Sequence, residues 1–204
     1  MSRAGRIEVM RADVTIYFIR HGETDWNAQS RYQGQADIPM NETGRAQARR
    51  NGEALRALLP AIGGVRYVAS PLLRARETMQ IVRVALALEQ LDYALDERLK
   101  ELHYGDWQGI FAHDLPDIDA PGIAARSRDT FRWRPKGGES YEDLMARSVD
   151  WLGDVTADTV VAAHGGVSRV LRGHLYGLDA ASVPELPVPQ DRILVLRRDG
   201  MHWL

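Results

Sequence analysis

The chain has 204 residues, of which 45% are hydrophobic and 26% charged, a composition typical of a globular protein with a substantial core. Its formal net charge of −2 argues against a nucleic-acid-binding face, which needs a basic excess. The sequence contains no cysteine, so disulfides and thiolate metal sites are excluded.

The N-terminal segment, residues 1–13, contains arginines but no uninterrupted apolar stretch, and it therefore does not resemble a signal peptide. The longest apolar runs, around residues 82–88 and 159–163, are too short to span a bilayer. We expect a soluble, cytoplasmic protein with no membrane partner.

The first predicted elements are a strand and a helix. The β-branched and aromatic run Val14–Ile19 predicts a buried strand that leads into a loop at His21. Thr43 is predicted to cap the helix that follows this loop, and Pro60 is predicted to end it.

A second strand and helix are predicted at 65–69 and from Ser70 onwards. Ser70 and Pro71 have the residue types of an N-cap and a first turn, which predicts a helix that reaches about Leu88. Residues 95–102 are ambiguous and are interpreted as partly extended.

The next segment, residues 110–136, shows little periodicity and contains several prolines. It is predicted to be a capping excursion with short helices that selects the substrate. Ser140 and Asp143 form a variant of the capping box, which predicts a helix that reaches Leu152.

The last predicted elements are a buried strand at 159–163, which ends at His164, a helix at 167–176 and a final strand at 192–197. Strands that alternate with helices predict a mostly parallel sheet with helices on both faces. The fold class is therefore α/β, with a single domain over residues 1–204.

Polar side chains follow the three predicted central strands. Two strands end in a histidine followed by glycine, at His21 and His164, and Arg74 lies in the first turn of the helix after the third. Ligands of parallel sheets collect at this edge, so these side chains and Arg20 are expected to converge. The planar guanidinium of arginine and the backbone N–H groups at helix N-termini suit a phosphate group, and a neutral imidazole can attack its phosphorus.

Several sequence blocks carry a resemblance to a known family over the range from Val14 to about Gly177. These blocks are Arg20–Asn27, Gly34, Pro39–Gly44, Ser70–Ala75, Glu101–Gly109, Gly138–Ser140 and His164–Gly166. In type and order they resemble the motifs of the histidine phosphatase superfamily, the phosphoglycerate mutase-like group.

The resemblance implies a phosphoryl-binding centre. His21 would be the phosphorylated nucleophile. Arg20, Arg74 and His164 would form the pocket that holds the phosphoryl oxygens. Asn27 would donate a further hydrogen bond to the same group.

The resemblance also implies an acid and substrate contacts. Glu101 would protonate the leaving group and later activate water. Thr24 and Gly34 lie where the family often contacts substrate. Gly165 would allow the backbone to approach the anion.

The function predicted from these residues is metal-independent hydrolysis of a small phosphate ester through a phosphohistidine, with no cofactor. His21 and His164 have no third ligand at a suitable spacing, and the neighbouring arginines would repel a cation, so no metal site is predicted. The alternatives are a cofactor-dependent phosphoglycerate mutase and a non-catalytic phospho-ligand-binding relative. The short segment at 110–136 has no arginine pair of the mutase type, which favours hydrolysis.

Three questions stay open at the level of sequence. The physiological phosphate ester is one, and the oligomeric state, monomer or homodimer, is another. The third is whether Arg132, Arg134 and Lys136 form a solvated turn or contact an anionic substrate.

Overall fold

The computed structural model of the chain describes residues 10–59 and 61–204. Its helices and strands are β1 (Ile16–Arg20), α1 (Asp25–Ala28), α2 (Glu42–Leu58), β2 (Arg66–Ala69), α3 (Leu73–Ala85), β3 (Ala94–Leu95), α4 (Leu115–Ile118), α5 (Ala120–Arg128), α6 (Tyr141–Gly153), β4 (Thr159–Ala163), α7 (Gly165–Leu175), β5 (Ile193–Arg197) and β6 (Gly200–Trp203). The predicted helix end at Pro60 and most of the N-terminal segment lie outside the described residues. In this part of the chain, every helix is too short or too polar to cross a bilayer.

The described strands form one sheet in the order β3-β2-β4-β1-β5-β6. Neighbours among β1 to β4 are parallel, whereas β5 is antiparallel to β1 and β6 is antiparallel to β5. The predicted α/β fold with a mostly parallel sheet is confirmed. The prediction that the strand at 192–197 comes last was wrong, because β6 follows it. With its mostly exposed side chains, β6 lacks the hydrophobic alternation that marks a strand in sequence.

Helices cover both faces of the sheet, as predicted. Successive residues of a strand point to opposite faces, so Phe18 and Ile19 of β1 lie in different cores. Phe18 packs in the core that contains Leu171 of α7, and Ile19 in the core that contains Leu55 of α2 and Met79 of α3. Burial of each such side chain stabilises the fold by about 1.5–3 kcal/mol. The two cores leave the carboxyl edge of the parallel strands free for a site.

The starts of three helices differ from the predicted ones. The N-cap of α2 is Asn41 rather than Thr43, because the Asn41 side chain accepts a backbone N–H of the first turn. Helix α3 begins later than predicted, because Oγ of Ser70 lies 2.7 Å from Nε2 of His164 and does not cap it. Helix α7 begins directly at Gly165, two residues before the predicted start.

The predicted capping excursion follows a 3₁₀ turn at Gly105–Trp107 and contains α4 and α5. Trp107 holds it to the body of the protein. The indole Nε1 of Trp107 donates to Oδ2 of Asp119 at 2.8 Å, and the ring centroids of Trp107 and Trp133 are 4.4 Å apart. The predicted capping box of Ser140 and Asp143 starts α6.

Candidate active site

Strands β1 and β4 bring the two predicted site histidines side by side. The backbone N–H of His21 donates to the carbonyl of Ala163 at 2.9 Å, and that of Ser70 donates to the carbonyl of Ala162 at 3.0 Å. These bonds extend the parallel pairing by one residue past each strand end. As a result, the rings of His21 and His164 lie with their centroids 5.1 Å apart.

His21 is held in an orientation that suits a nucleophile. Its side chain is 3% exposed, and Nδ1 lies 2.8 Å from the carbonyl oxygen of Gly22. Since a carbonyl only accepts, Nδ1 carries the proton and Nε2 keeps its lone pair. Burial, together with the charges of Arg74 and Arg20, holds the pKa of His21 well below its ordinary value. The ring is therefore neutral at physiological pH.

Two arginines flank this lone pair. Arg74, which is fully buried in the first turn of α3, donates from Nη1 to the carbonyl of Ala36 at 2.8 Å and from Nη2 to that of Gly34 at 2.7 Å. Burial lowers the pKa of Arg74 to about 10, so the guanidinium stays charged at neutral pH. Arg20 donates from Nη1 to the carbonyl of Val188 at 2.6 Å, and its buried Nε has no acceptor among the described residues. A bound anion would supply that acceptor.

His164 lies fully buried beside His21 rather than on the cavity wall. Its Nε2 is 2.7 Å from Oγ of Ser70, and its buried Nδ1 has no partner among the described residues. Burial, followed by the charge of Arg74, keeps the pKa of His164 well below its ordinary value. If the Ser70 hydroxyl donates to Nε2, then Nδ1 carries a proton that still needs an acceptor.

Glu101 reaches the same centre from the loop that follows a 3₁₀ turn. Its Oε1 accepts the backbone N–H of Leu102 at 2.8 Å and that of Gly166 at 3.1 Å. Its carbonyl oxygen accepts from Nη2 of Arg147 at 2.9 Å and from Nε2 of Gln35 at 3.0 Å. Backbone and side chain of Glu101 are thus both held, and the residue lines the cavity.

Asn27 and Thr24 form a capping box at the start of α1. Oδ1 of Asn27 accepts from the backbone N–H and the hydroxyl of Thr24, both at 3.2 Å, and from Nε2 of Gln190 at 3.2 Å. The oxygen is held by three donors, whereas the amide nitrogen of Asn27 has no hydrogen-bond acceptor in the described part of the chain and can donate into the cavity that Asn27 lines. Thr24 is fully buried, does not line that cavity and is linked to Asn27 by these hydrogen bonds.

These residues surround one cavity of about 290 Å³, a size that suits a small metabolite. Of the predicted residues, the cavity is lined by Arg20, His21, Asn27, Gly34, Arg74, Glu101 and Gly165. Gly34 has a φ of +55°, a left-handed conformation, and a side chain there would strike Gln108. The other carboxylates near the motifs are engaged elsewhere: Glu23 accepts from Asn41, and Glu97 pairs with Lys100.

The cavity also contains residues that the sequence interpretation missed. Its wall includes Ser30, Arg31, Tyr32, Gln33, Tyr104, Ala112 and Arg169. Arg169 follows Gly165 by one helical turn on α7, a spacing that places both on one face and could have indicated it. The others come from loops, for which the sequence offered no periodic signal.

The cationic residues of the capping excursion lie outside this cavity. Arg132 pairs with Asp129 at 3.3 Å, Arg134 with Asp143 at 2.6 Å and Lys136 with Asp106 at 3.4 Å. None of the three lines the cavity, and all three side chains are more than half exposed. In this structure they form the solvated turn that was one of the two sequence interpretations.

A family model described as "Histidine phosphatase superfamily (branch 1)" matches residues 16–204. The chain is 36% identical over 186 residues to the glucosyl-3-phosphoglycerate phosphatase of Mycobacterium tuberculosis, with 84% of this chain and 79% of that protein covered. It is 28% identical over 180 residues to the 2,3-bisphosphoglycerate-dependent phosphoglycerate mutase 2 of Gloeobacter violaceus, with 85% and 80% covered. The solved structure of the mycobacterial glucosyl-3-phosphoglycerate phosphatase with VO3 matches it with a TM-score of 0.74 at 31% identity, covering 93% of this chain and 96% of that one.

Proposed function

Because the chain belongs to the histidine phosphatase superfamily and is a phosphoric monoester hydrolase, we propose that its reaction proceeds through a phosphohistidine on His21. The observation that carries this proposal is the hydrogen bond from Nδ1 of His21 to the carbonyl of Gly22 at 2.8 Å. It fixes the tautomer and directs the lone pair of Nε2 towards the cavity. Since the pKa of the ring is lowered by burial, no base is needed to prepare this nucleophile.

In this mechanism, the phosphoryl group is held by donors that lack acceptors in the free protein. Nε of Arg20 is a buried donor without a partner among the described residues, and Arg20 lines the cavity. Nδ1 of His164 is likewise buried and without a partner there, but His164 does not line the cavity, so its contact with the phosphoryl group stays a prediction. Arg74 adds a second guanidinium and Asn27 an amide nitrogen. Donors that are already in place cost no reorganisation when the charge moves during transfer.

Nε2 of His21 then attacks phosphorus while the ester P–O bond breaks, and protonated Glu101 gives its proton to the leaving oxygen. In the second step, Glu101 takes a proton from water as the water oxygen attacks phosphorus and the N–P bond breaks. Inorganic phosphate leaves, and His21 and Glu101 return to their initial states. One carboxyl group serves both steps because the ester oxygen that leaves in the first step and the water oxygen that attacks in the second lie on the same side of phosphorus.

The proposed substrate is a small phosphorylated metabolite. The cavity of about 290 Å³ accommodates such a molecule, and one relative is named as a phosphatase of glucosyl-3-phosphoglycerate. We propose an ester of this kind, with a sugar or glycerate body, and no metal ion. Phosphate release should therefore persist in excess chelator, and its loss would contradict the metal-free mechanism.

The phosphohistidine is tested by rapid acid-free quenching of the enzyme with ³²P-labelled p-nitrophenyl phosphate. We expect protein-bound label that is stable to base, labile to acid and located on His21 by peptide mapping. His21→Ala should show no label, whereas His113→Ala, a variant of an exposed histidine outside the cavity, should label like the wild type. Label on another residue, or turnover by His21→Ala, would contradict the proposal.

A mutase is the second candidate function, because one relative carries that name. In a mutase, the phosphohistidine would return its phosphoryl group to a second hydroxyl rather than to water. Incubation with 3-phosphoglycerate and its bisphosphate distinguishes the two outcomes. Hydrolysis releases inorganic phosphate, whereas mutase activity interconverts the phosphoglycerates with little release.

The cytoplasm is the compartment we propose for this reaction, following the sequence interpretation. Cell fractionation of the native source tests it. Sedimentation of the purified chain decides between the monomer and the homodimer.

A further inference from the structure

Arg31 holds a fixed place in the wall of the cavity, beyond the residues assigned to the phosphoryl group. Its backbone N–H donates to the carbonyl of Trp26 at 2.8 Å, and its backbone pairs with that of Phe111. The guanidinium carbon lies 3.9 Å from the ring centroid of Phe111 and 5.9 Å from that of Trp26. Contact with the Phe111 ring therefore restricts the position of the guanidinium before any ligand binds.

The hydrogen-bonding capacity of this guanidinium is not used within the described part of the chain. Its Nε is buried without an acceptor, and none of the ion pairs among the described residues includes Arg31. By contrast, Arg132 and Arg134 in the nearby excursion are paired with carboxylates. A buried guanidinium N–H without an acceptor costs free energy that an anionic ligand would recover.

The phosphoryl group of a substrate does not need this arginine, because Arg20 and Arg74 already flank His21. Arg31 lines the same cavity, and we assign it to another part of a bound ester. One guanidinium matches one carboxylate in charge and in its two-pronged geometry. A second phosphoryl group would carry up to twice that charge and would be only partly neutralised.

We propose that Arg31 is a specificity-determining residue that binds a carboxylate of the substrate, so that the enzyme prefers phosphate esters with a carboxylate group. This inference rests on the proposed function, since it concerns the same cavity. It also assigns a role to the capping excursion, because Phe111 holds the arginine in place. Selection of the substrate by this excursion would thus act through the orientation of Arg31.

The test compares two pairs of esters that differ in the carboxylate: 3-phosphoglycerate with glycerol 3-phosphate, and O-phosphoserine with O-phosphoethanolamine. We expect the wild type to show a higher kcat/KM for the carboxylate-bearing member of at least one pair. Arg31→Gln should lower kcat/KM for that member by about tenfold to a hundredfold, and change its partner by less than about threefold. Arg31→Lys keeps the charge but loses the planar guanidinium. Its kcat/KM for the carboxylate-bearing ester should lie between those of the wild type and Arg31→Gln. Arg132→Gln is the matched control and should leave both values unchanged.

Equal losses on both members of a pair, or a wild type without preference in either pair, would overturn the inference. Binding of the same esters to His21→Ala, measured by calorimetry, gives the affinity ratio without turnover. If the phosphohistidine mechanism fails, this ratio still tests Arg31. If the carboxylate preference is absent from binding as well as from turnover, Arg31 has no such role.

Discussion

Nε of Arg74 lies 3.3 Å from Nε2 of His21, so the arginine donates to the lone pair that we expect to attack phosphorus. This contact requires a neutral imidazole, because a protonated ring has no lone pair to offer. The same guanidinium is anchored to the carbonyls of Ala36 and Gly34. A phosphoryl oxygen can therefore take over the Nε donor while Arg74 stays in place, which leaves Nε2 free to react.

The first prediction concerns the protonation of His21. Since burial and the two arginines lower its pKa, His21 should remain neutral where a free histidine, with a pKa of about 6.5, becomes charged. Nuclear magnetic resonance of ¹⁵N-labelled histidine should show no titration of His21 between about pH 7.5 and 5.5. The urea-unfolded chain provides the control, in which all histidines should titrate near 6.5. A His21 signal that titrates with the unfolded-chain value would refute the buried neutral state.

The same shift predicts how stability depends on pH. Above the pKa of the unfolded chain both states keep His21 neutral, and it contributes nothing to the dependence. As the pH falls below about 6.5, the unfolded chain binds a proton that the folded one excludes, so the free energy of unfolding decreases. The dependence should be weaker in His21→Ala by at most about 1.4 kcal/mol per pH unit, a limit that applies where the unfolded chain is fully protonated at this histidine and the folded chain is not. Urea unfolding of both proteins at several pH values measures the difference.

Glu101→Gln should separate substrates by their leaving groups. An alkyl ester such as glycerol 3-phosphate needs a proton on its leaving oxygen, whereas p-nitrophenolate scarcely does. We expect kcat/KM to fall by roughly 10²-fold or more for the alkyl ester and much less for p-nitrophenyl phosphate. The phosphohistidine should also accumulate in the variant, because no base activates water. Equal losses of kcat/KM on both esters would mean that a residue other than Glu101 protonates the leaving group.

Arg147 is predicted to act as a positioning residue for Glu101. It donates to the carbonyls of Arg98 and Lys100 at 2.7 and 2.6 Å and to that of Glu101, and it pairs with Glu139 at 2.9 Å. Arg147→Lys cannot make all these bonds, so the acid should be displaced and kcat/KM for alkyl esters should fall by roughly tenfold to a hundredfold.

The readout for Arg147 is the ratio of kcat/KM values for glycerol 3-phosphate and p-nitrophenyl phosphate, because kcat/KM reports the transfer to His21 and not the water step that both esters share. A purely structural residue would lower both in proportion to the loss of folded protein. The matched control is Arg45→Lys, since Arg45 also pairs with carboxylates, Glu42 and Glu77, but on α2. A ratio that stays at the wild-type value in Arg147→Lys would remove its positioning role.

Gly166→Ala should disturb both the acid and the fold. A Cβ at this position would collide with Oε1 of Glu101 and lie 2.8 Å from Cδ2 of Leu144. We expect the free energy of unfolding to fall by about 1–3 kcal/mol and hydrolysis of alkyl esters to slow. Gly200→Ala is the control, because a Cβ there has no atom within 4 Å. Unchanged stability in Gly166→Ala would mean that the carboxyl group of Glu101 can move aside freely.

The sequence was sufficient to predict much of the fold and part of the site. β-branched runs marked β1, β2 and β4, and residues that follow a strand must lie at its carboxyl edge. The positions of His21 and His164 could therefore be inferred from local pattern. The edge strand β6 was not predicted, because its exposed side chains give no hydrophobic periodicity in the sequence.

The local sequence pattern alone was enough to place histidine, arginine and glycine at the strand ends, on the carboxyl edge of a parallel sheet. Only the tertiary structure decided that Ser70 contacts His164 instead of capping α3, and that Arg31 lies on the cavity wall against Phe111. The physical reason is that periodicity reports which face of an element is buried, whereas contacts between loops depend on how distant elements pack. Residues 31 and 111 are 80 positions apart, and no local propensity links them.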